Sequence, residues 1–123
     1  MNPVTDEDAE EFRKYLRVWQ TRLGLGPWRI TVSPKPAKNA MARVAEFDWP
    51  QRQARIELGR DWKSSPVNAG TLEQTAVHEL LHVVLYELIE TARDPHADAN
   101  HLASVEHAVV NALEKAFVPG DFE

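Results

Sequence analysis

Two histidines and one glutamate carry the chemistry that the residue types and spacings of this chain allow. They stand in the run Val77-His78-Glu79-Leu80-Leu81-His82-Val83. Helical residues advance by about 100° each, so His78 and His82 share one face, one turn apart. Two neutral imidazoles stacked this way can grip one zinc ion. Glu79 falls on the flank of that face, where its carboxylate can reach a metal-bound water without being a ligand. Zinc acidifies such a water, and a neighbouring carboxylate can take its proton. The competing reading is a helix that carries these three residues by coincidence. Context weighs against it: Ala76, Val77, Leu80, Leu81, Val83, Val84 and Leu85 are apolar, so Thr71 to Ile89 reads as a largely buried helix. A polar group buried without a partner costs about 1–3 kcal/mol. A bound metal relieves that cost.

A catalytic zinc takes three protein donors and keeps one position open. Downstream, Asp94, His96, Asp98, His101, Glu106 and His107 can supply the third. On a helical wheel with Leu102 at zero, Val105, Val109, Val110, Leu113, Ala116 and Phe117 gather within about 80° of one direction, and Glu106 falls among them at about 40°. A carboxylate in a core-facing stripe needs a partner, and a metal held by His78 and His82 would be one. The alternative for Glu106 is a carboxylate that escapes to solvent or pairs with an arginine. His101 and His96 are rival donors. His107, at about 140°, belongs to the polar side.

The elements that must position these groups follow from caps, breakers and periodicity. Thr5 is a candidate N-cap with Asp6, Glu7 and Asp8 in the first turn. Phe12, Leu16, Trp19 and Leu23 then recur at helical spacing until Gly24. Tyr15 and Trp19 read as core. After Gly26-Pro27, Trp28 to Ser33 alternates as a strand. Ala42 to Trp49 reads as a second strand, Asp48 to Arg52 as a turn, and Ala54, Ile56 and Leu58 as the apolar side of a third. The second and third strands are expected to form a hairpin. Arg60 to Gly70 is a polar connection. Thr71 with Gln74 fits a capping box for the motif helix, which runs to Ile89 or Thr91. Arg93 to His101 reads as a loop and Leu102 to Phe117 as the last helix, ended by Pro119-Gly120, with a frayed tail beyond.

The bulk properties narrow the field. A chain of 123 residues with 43% hydrophobic and 27% charged side chains suits one globular domain over residues 1–123. It has no cysteine, which excludes disulfides and thiolate–zinc sites and fits a reducing compartment. The acidic N-terminus does not read as a signal peptide, and no apolar run suits a membrane span. A cytoplasmic location is therefore expected. The net charge of −5 argues against broad nucleic-acid or anionic-membrane binding.

In its order of elements, and in His78, Glu79, His82 and Glu106, the chain resembles a gluzincin-type (HExxH) zinc metallopeptidase of minimal size, such as occurs among bacterial and phage metallopeptidase-like domains. It departs from larger gluzincins at Val110, where they carry an acid four residues beyond the ligand glutamate. The resemblance implies an α+β, zincin-like fold with an N-terminal helix, a small three-stranded sheet, the HExxH helix and a C-terminal helix. It implies Zn²⁺ held by His78, His82 and Glu106, with Glu79 as the base. It implies a peptide or protein substrate extended along an edge strand, either Ala42–Phe47 or Ala54–Leu58. Tyr86, one turn beyond His82, is a candidate for steadying the oxyanion; it reads equally as a core or rim tyrosine. Two other readings stay open. One is a zinc-binding interaction module of the same fold with little proteolysis. The other is a SprT-like DNA-associated protease, with His96 or His101 as a third histidine ligand. An intact Glu79 favours a peptidase over a module. The acidic balance disfavours the DNA-associated reading.

Overall fold

A computed structural model describes residues 1–118, which form an α+β arrangement of three helices and a three-stranded mixed sheet. Helix α1 (Asp6–Arg22) starts as its sequence predicts. The Asp8 N–H donates to the Thr5 hydroxyl, and the Thr5 N–H donates back to the Asp8 carboxylate. Such a reciprocal cap satisfies two amides that a helix end would otherwise leave bare. Beyond the last turn, Gly24 takes a φ of +71°, a left-handed conformation that glycine adopts without steric cost. Phe12 and Leu16 are buried, and Tyr15 and Trp19 pack against the core as expected.

Strands β1 (Arg29–Val32), β2 (Ala42–Asp48) and β3 (Gln53–Leu58) lie in the order β1-β3-β2. β3 runs parallel to β1 and forms the expected antiparallel hairpin with β2. β3 is therefore central, and β2 has one free edge. The hairpin register breaks once. Val44 opposes Ile56 and Glu46 opposes Arg55, so Ala45 is an extra residue in β2. Side chains alternate faces along a strand, and a bulge of one residue resets that alternation. Val44 and Phe47, three apart, both pack against the core because of it.

Helix α2 (Ala69–Arg93) begins earlier than its sequence suggests. Asn68, not Thr71, is the cap: its side chain accepts the Thr71 N–H, and the Thr71 hydroxyl accepts the Asn68 N–H. Thr71 thus holds the third helical position of the box rather than its cap. Helix α3 (Ala99–Phe117) also starts early. Asp98 accepts the His101 N–H at 2.7 Å, which puts His101 in the first turn instead of the connecting loop. The expected stop at Pro119-Gly120 and the tail beyond lie outside the described residues.

The buried side chains form one cluster shared by all three helices and the inner face of the sheet, with Leu72, Ala76, Leu80, Val83 and Val84 of α2 among its members. Among the described residues, no helix is long and apolar enough to cross a membrane. One close approach is backbone against backbone. A Cβ added at Gly59, just after β3, would run into the Ala40 carbonyl oxygen. Neither atom can swing aside as a side chain would, so Gly59→Ala should destabilise the fold by about 1–3 kcal/mol, the usual cost of overpacking. Chemical denaturation checks this; a midpoint equal to wild type would show that the 40–41 segment yields freely.

Candidate active site

Two imidazoles and a carboxylate meet on the side of α2 that faces β2. His78 and His82 are both exposed, their ring centroids 5.0 Å apart and their planes inclined at 75°. That one-turn separation is what the i, i+4 spacing dictates. Glu79 is the reverse case: it is only 5% exposed, wedged where α2 packs on the sheet. Burial pushes its carboxyl above the usual carboxylate range, because the charged form loses water. The two neighbouring imidazoles, and more weakly the backbone N–H of Val44, pull the other way. On an edge strand, alternate amides point off the sheet, so a side chain across the groove can accept from one.

These groups open onto a groove of about 440 Å³ between α2 and β2. β2 contributes Arg43, Val44 and Phe47, and α2 contributes Tyr86 beyond the histidines, then Ile89, Glu90 and Arg93. Tyr86 stacks flat on Phe47, with centroids 4.0 Å apart and planes within 2°. Its ring is thus a wall of the groove, in keeping with a rim tyrosine. Of the two strands expected to border the motif helix, only β2 does so with a free edge; β3 is paired on both sides.

The third donor does not join this group. Glu106 is exposed, which corrects its assignment to the apolar face of the last helix. The stripe that packs in α3 is Val105, Val109 and Ala116, with Ala112 and Leu113 partly buried. This stripe is narrower than the wheel of apolar residues suggests. Phe117 and Val110, which lie just beyond Glu106 at the edge of the wheel's apolar arc, are 78% and 52% exposed. Sharing that margin, Glu106 faces water and not the core. His96, His101 and His107 are exposed too. Among the described residues there is no group of three or more His, Asp or Glu side chains set to hold a metal ion. His78 and His82 are residue types that suit zinc, and among the described residues no third donor joins them.

Several features of the groove had no signal in the sequence. The Val44 amide is contributed by backbone. The Phe47–Tyr86 stack depends on the bulge at Ala45. The pairing of Arg43 with Glu57 depends on the hairpin register.

The chain matches no family model, no curated protein and no solved structure.

The wall gives a direct test of Tyr86. If its ring packing is what matters to the fold, Phe47→Ala should cost about 2 kcal/mol, below the full value for a buried phenylalanine. Tyr86→Phe should stay within about 0.5 kcal/mol of wild type. Equal losses in urea denaturation would assign the stabilisation to the tyrosine hydroxyl instead.

Proposed function

We propose that the α2–β2 groove is the active site of a zincin-like zinc metallopeptidase. The observation that carries this reading is the contrast within one turn of α2: two exposed imidazoles 5.0 Å apart beside a carboxylate that is 5% exposed, all opening onto a groove bordered by a free strand edge. His78 and His82 would hold the ion. Bound there, zinc supplies a Lewis acid that lowers the pKa of a coordinated water.

The remaining steps belong to the chain. Glu79 accepts a proton from the water as its oxygen attacks the peptide carbonyl. It returns that proton to the amide nitrogen as the C–N bond breaks, so that an amine and a carboxylic acid leave. Burial of Glu79 suits this exchange, because a carboxylate with less water around it is a stronger base. The Val44 N–H favours the charged form of that carboxylate. The free edge of β2 can hydrogen-bond an extended peptide through its outward amides and carbonyls, aligning it past the two histidines. The short donor set favours a second reading, a peptide-binding module of the same shape without hydrolysis.

Metal content separates these readings first. Purified protein not exposed to chelator should carry about one zinc per chain, and chelation should lower its melting temperature, because a ligand bound only to the folded state stabilises it. Absence of transition metal by elemental analysis, with no uptake of added zinc, would remove the peptidase reading. His78→Ala and His82→Ala should each weaken zinc by at least about tenfold, the loss of one of few donors. Titrating Glu106→Ala, His96→Ala and His101→Ala against a competing chelator identifies the third donor: the variant that loses zinc as severely as His78→Ala supplies it.

Glu79→Gln should keep fold and zinc but lower peptide hydrolysis by about 10²-fold or more, since an amide cannot accept the proton. A variant as fast as wild type would show that another group is the base.

A further inference from the structure

Arg43 and Glu57 form an unequal ion pair on the outer face of the β2–β3 hairpin, and Arg43 also borders the groove. They face each other directly across the β2–β3 hairpin, with Nε of Arg43 3.0 Å from Oε1 of Glu57. The carboxylate side chain is 10% exposed and the guanidinium side chain 57% exposed. No other carboxylate among the described residues lies within ion-pair distance of Arg43. A structural pair on an open sheet face needs no burial of its acid. Here the buried acid holds a mostly solvated arginine by one edge of its planar fork. The guanidinium has five donors, and pairing through Nε leaves others for a ligand. Arg43 lines the same groove as His78, Glu79 and His82, and it directly precedes Val44, whose amide meets Glu79.

Arg93, at the far end of the groove, is different. It pairs with Glu90 at 3.8 Å, its side chain is 75% exposed, and no buried group fixes it. Fixing a long side chain in advance removes the entropy cost of ordering it on binding. Arg43 is therefore the cation that is already in place. The chain as a whole has a charge of −5, so its overall field repels anions, and a carboxylate would be held here only by a local contact.

We propose that Arg43, oriented by Glu57, is a specificity-determining residue of the groove that selects peptides presenting a carboxylate, from an acidic side chain or a free C-terminus. The proposal rests on the peptidase reading only in taking the ligand to be a peptide; the selection itself is a property of binding.

The test uses the full chain carrying Glu79→Gln, so that nothing turns over, and measures peptide affinity by fluorescence anisotropy. One arm is an amidated peptide series with a single Glu moved along the sequence, each member matched to its Gln counterpart. The other arm compares a neutral peptide with a free-acid or amidated end. The expected result is a preference for the carboxylate of at least about tenfold in one arm, the worth of one charge-assisted hydrogen bond. The arm that shows it names the source. Arg43→Met should bring that ratio close to one. Arg43→Lys, which keeps charge but not the fork, should restore part of it. Glu57→Gln should lower it with Arg43 still present, and Arg43→Met combined with Glu57→Gln serves as the readout if the single variant folds poorly with its acid unpaired.

A ratio near one in both arms, or one unchanged by Arg43→Met, overturns the proposal. Cleavage by wild type alongside flat ratios would leave the peptidase standing without this selectivity. A preference lost with Arg43, in a protein that binds no zinc and cuts nothing, would leave the selectivity standing and remove the peptidase.

Discussion

A carboxylate buried at Glu79 constrains much of the molecule. It lies on the helix that contributes Leu72, Ala76, Leu80, Val83 and Val84 to the core, at the line where that helix meets the sheet. A buried acid must find donors or take up a proton. β2 supplies a backbone N–H that favours the charged form, that of Val44. That amide is available only because β2 is an edge strand: a neighbour on its outer side would occupy the outward-pointing amides. The sheet order β1-β3-β2 is thus tied to the environment of a single side chain on α2.

The bulge at Ala45 serves the same contact. It lets Val44 reach Glu79 while Phe47, three residues on, still turns inward to stack on Tyr86. Without the extra residue, period-two alternation would put these two side chains on opposite faces. The groove is then bounded by strand on one side and by residues four apart on the other: His78, His82 and Tyr86. Helical geometry aligns those three, and the bulged strand matches their spacing.

α2 divides its surface among its neighbours. Val83, Val84 and Glu87 border a niche beside Val105, Ala108, Val109 and Ala112 of α3, on the flank away from the histidines. α3 therefore packs beside the groove, its apolar stripe turned toward that flank. This is the reason that Glu106, at the solvent margin of the stripe, stays apart from His78 and His82. On the outer face of the sheet, the same hairpin register that aligns Val44 with Ile56 sets Arg43 opposite Glu57. One register thus shapes both the floor of the groove and the ion pair on the opposite face of the strand that borders it.

Local chemistry was legible in the amino-acid order. Thr5 and Asp8 cap α1, Gly24 ends it, the β2–β3 hairpin turns near Pro50, and the i, i+4 histidines share a helical face with Glu79 beside them. Each of these depends on residues a few positions apart, which is the range over which caps, turns and helical pitch act. Starts shifted by two or three residues at α2 and α3 came from competing caps of the same type: Asn68 over Thr71, and Asp98 over the residues after it. What the order of residues left undecided was long-range. A wheel that counts every apolar residue as buried puts the Glu106 side chain in the core, yet Val110 and Phe117 stay in water because the packed stripe is narrower than the apolar one. Which strand is the edge, which backbone amide meets Glu79 and which arginine stands at the groove were set by sheet order, a one-residue bulge and hairpin register. These depend on how separated segments fit together, and the periodicity within any one segment is the same whichever way they fit.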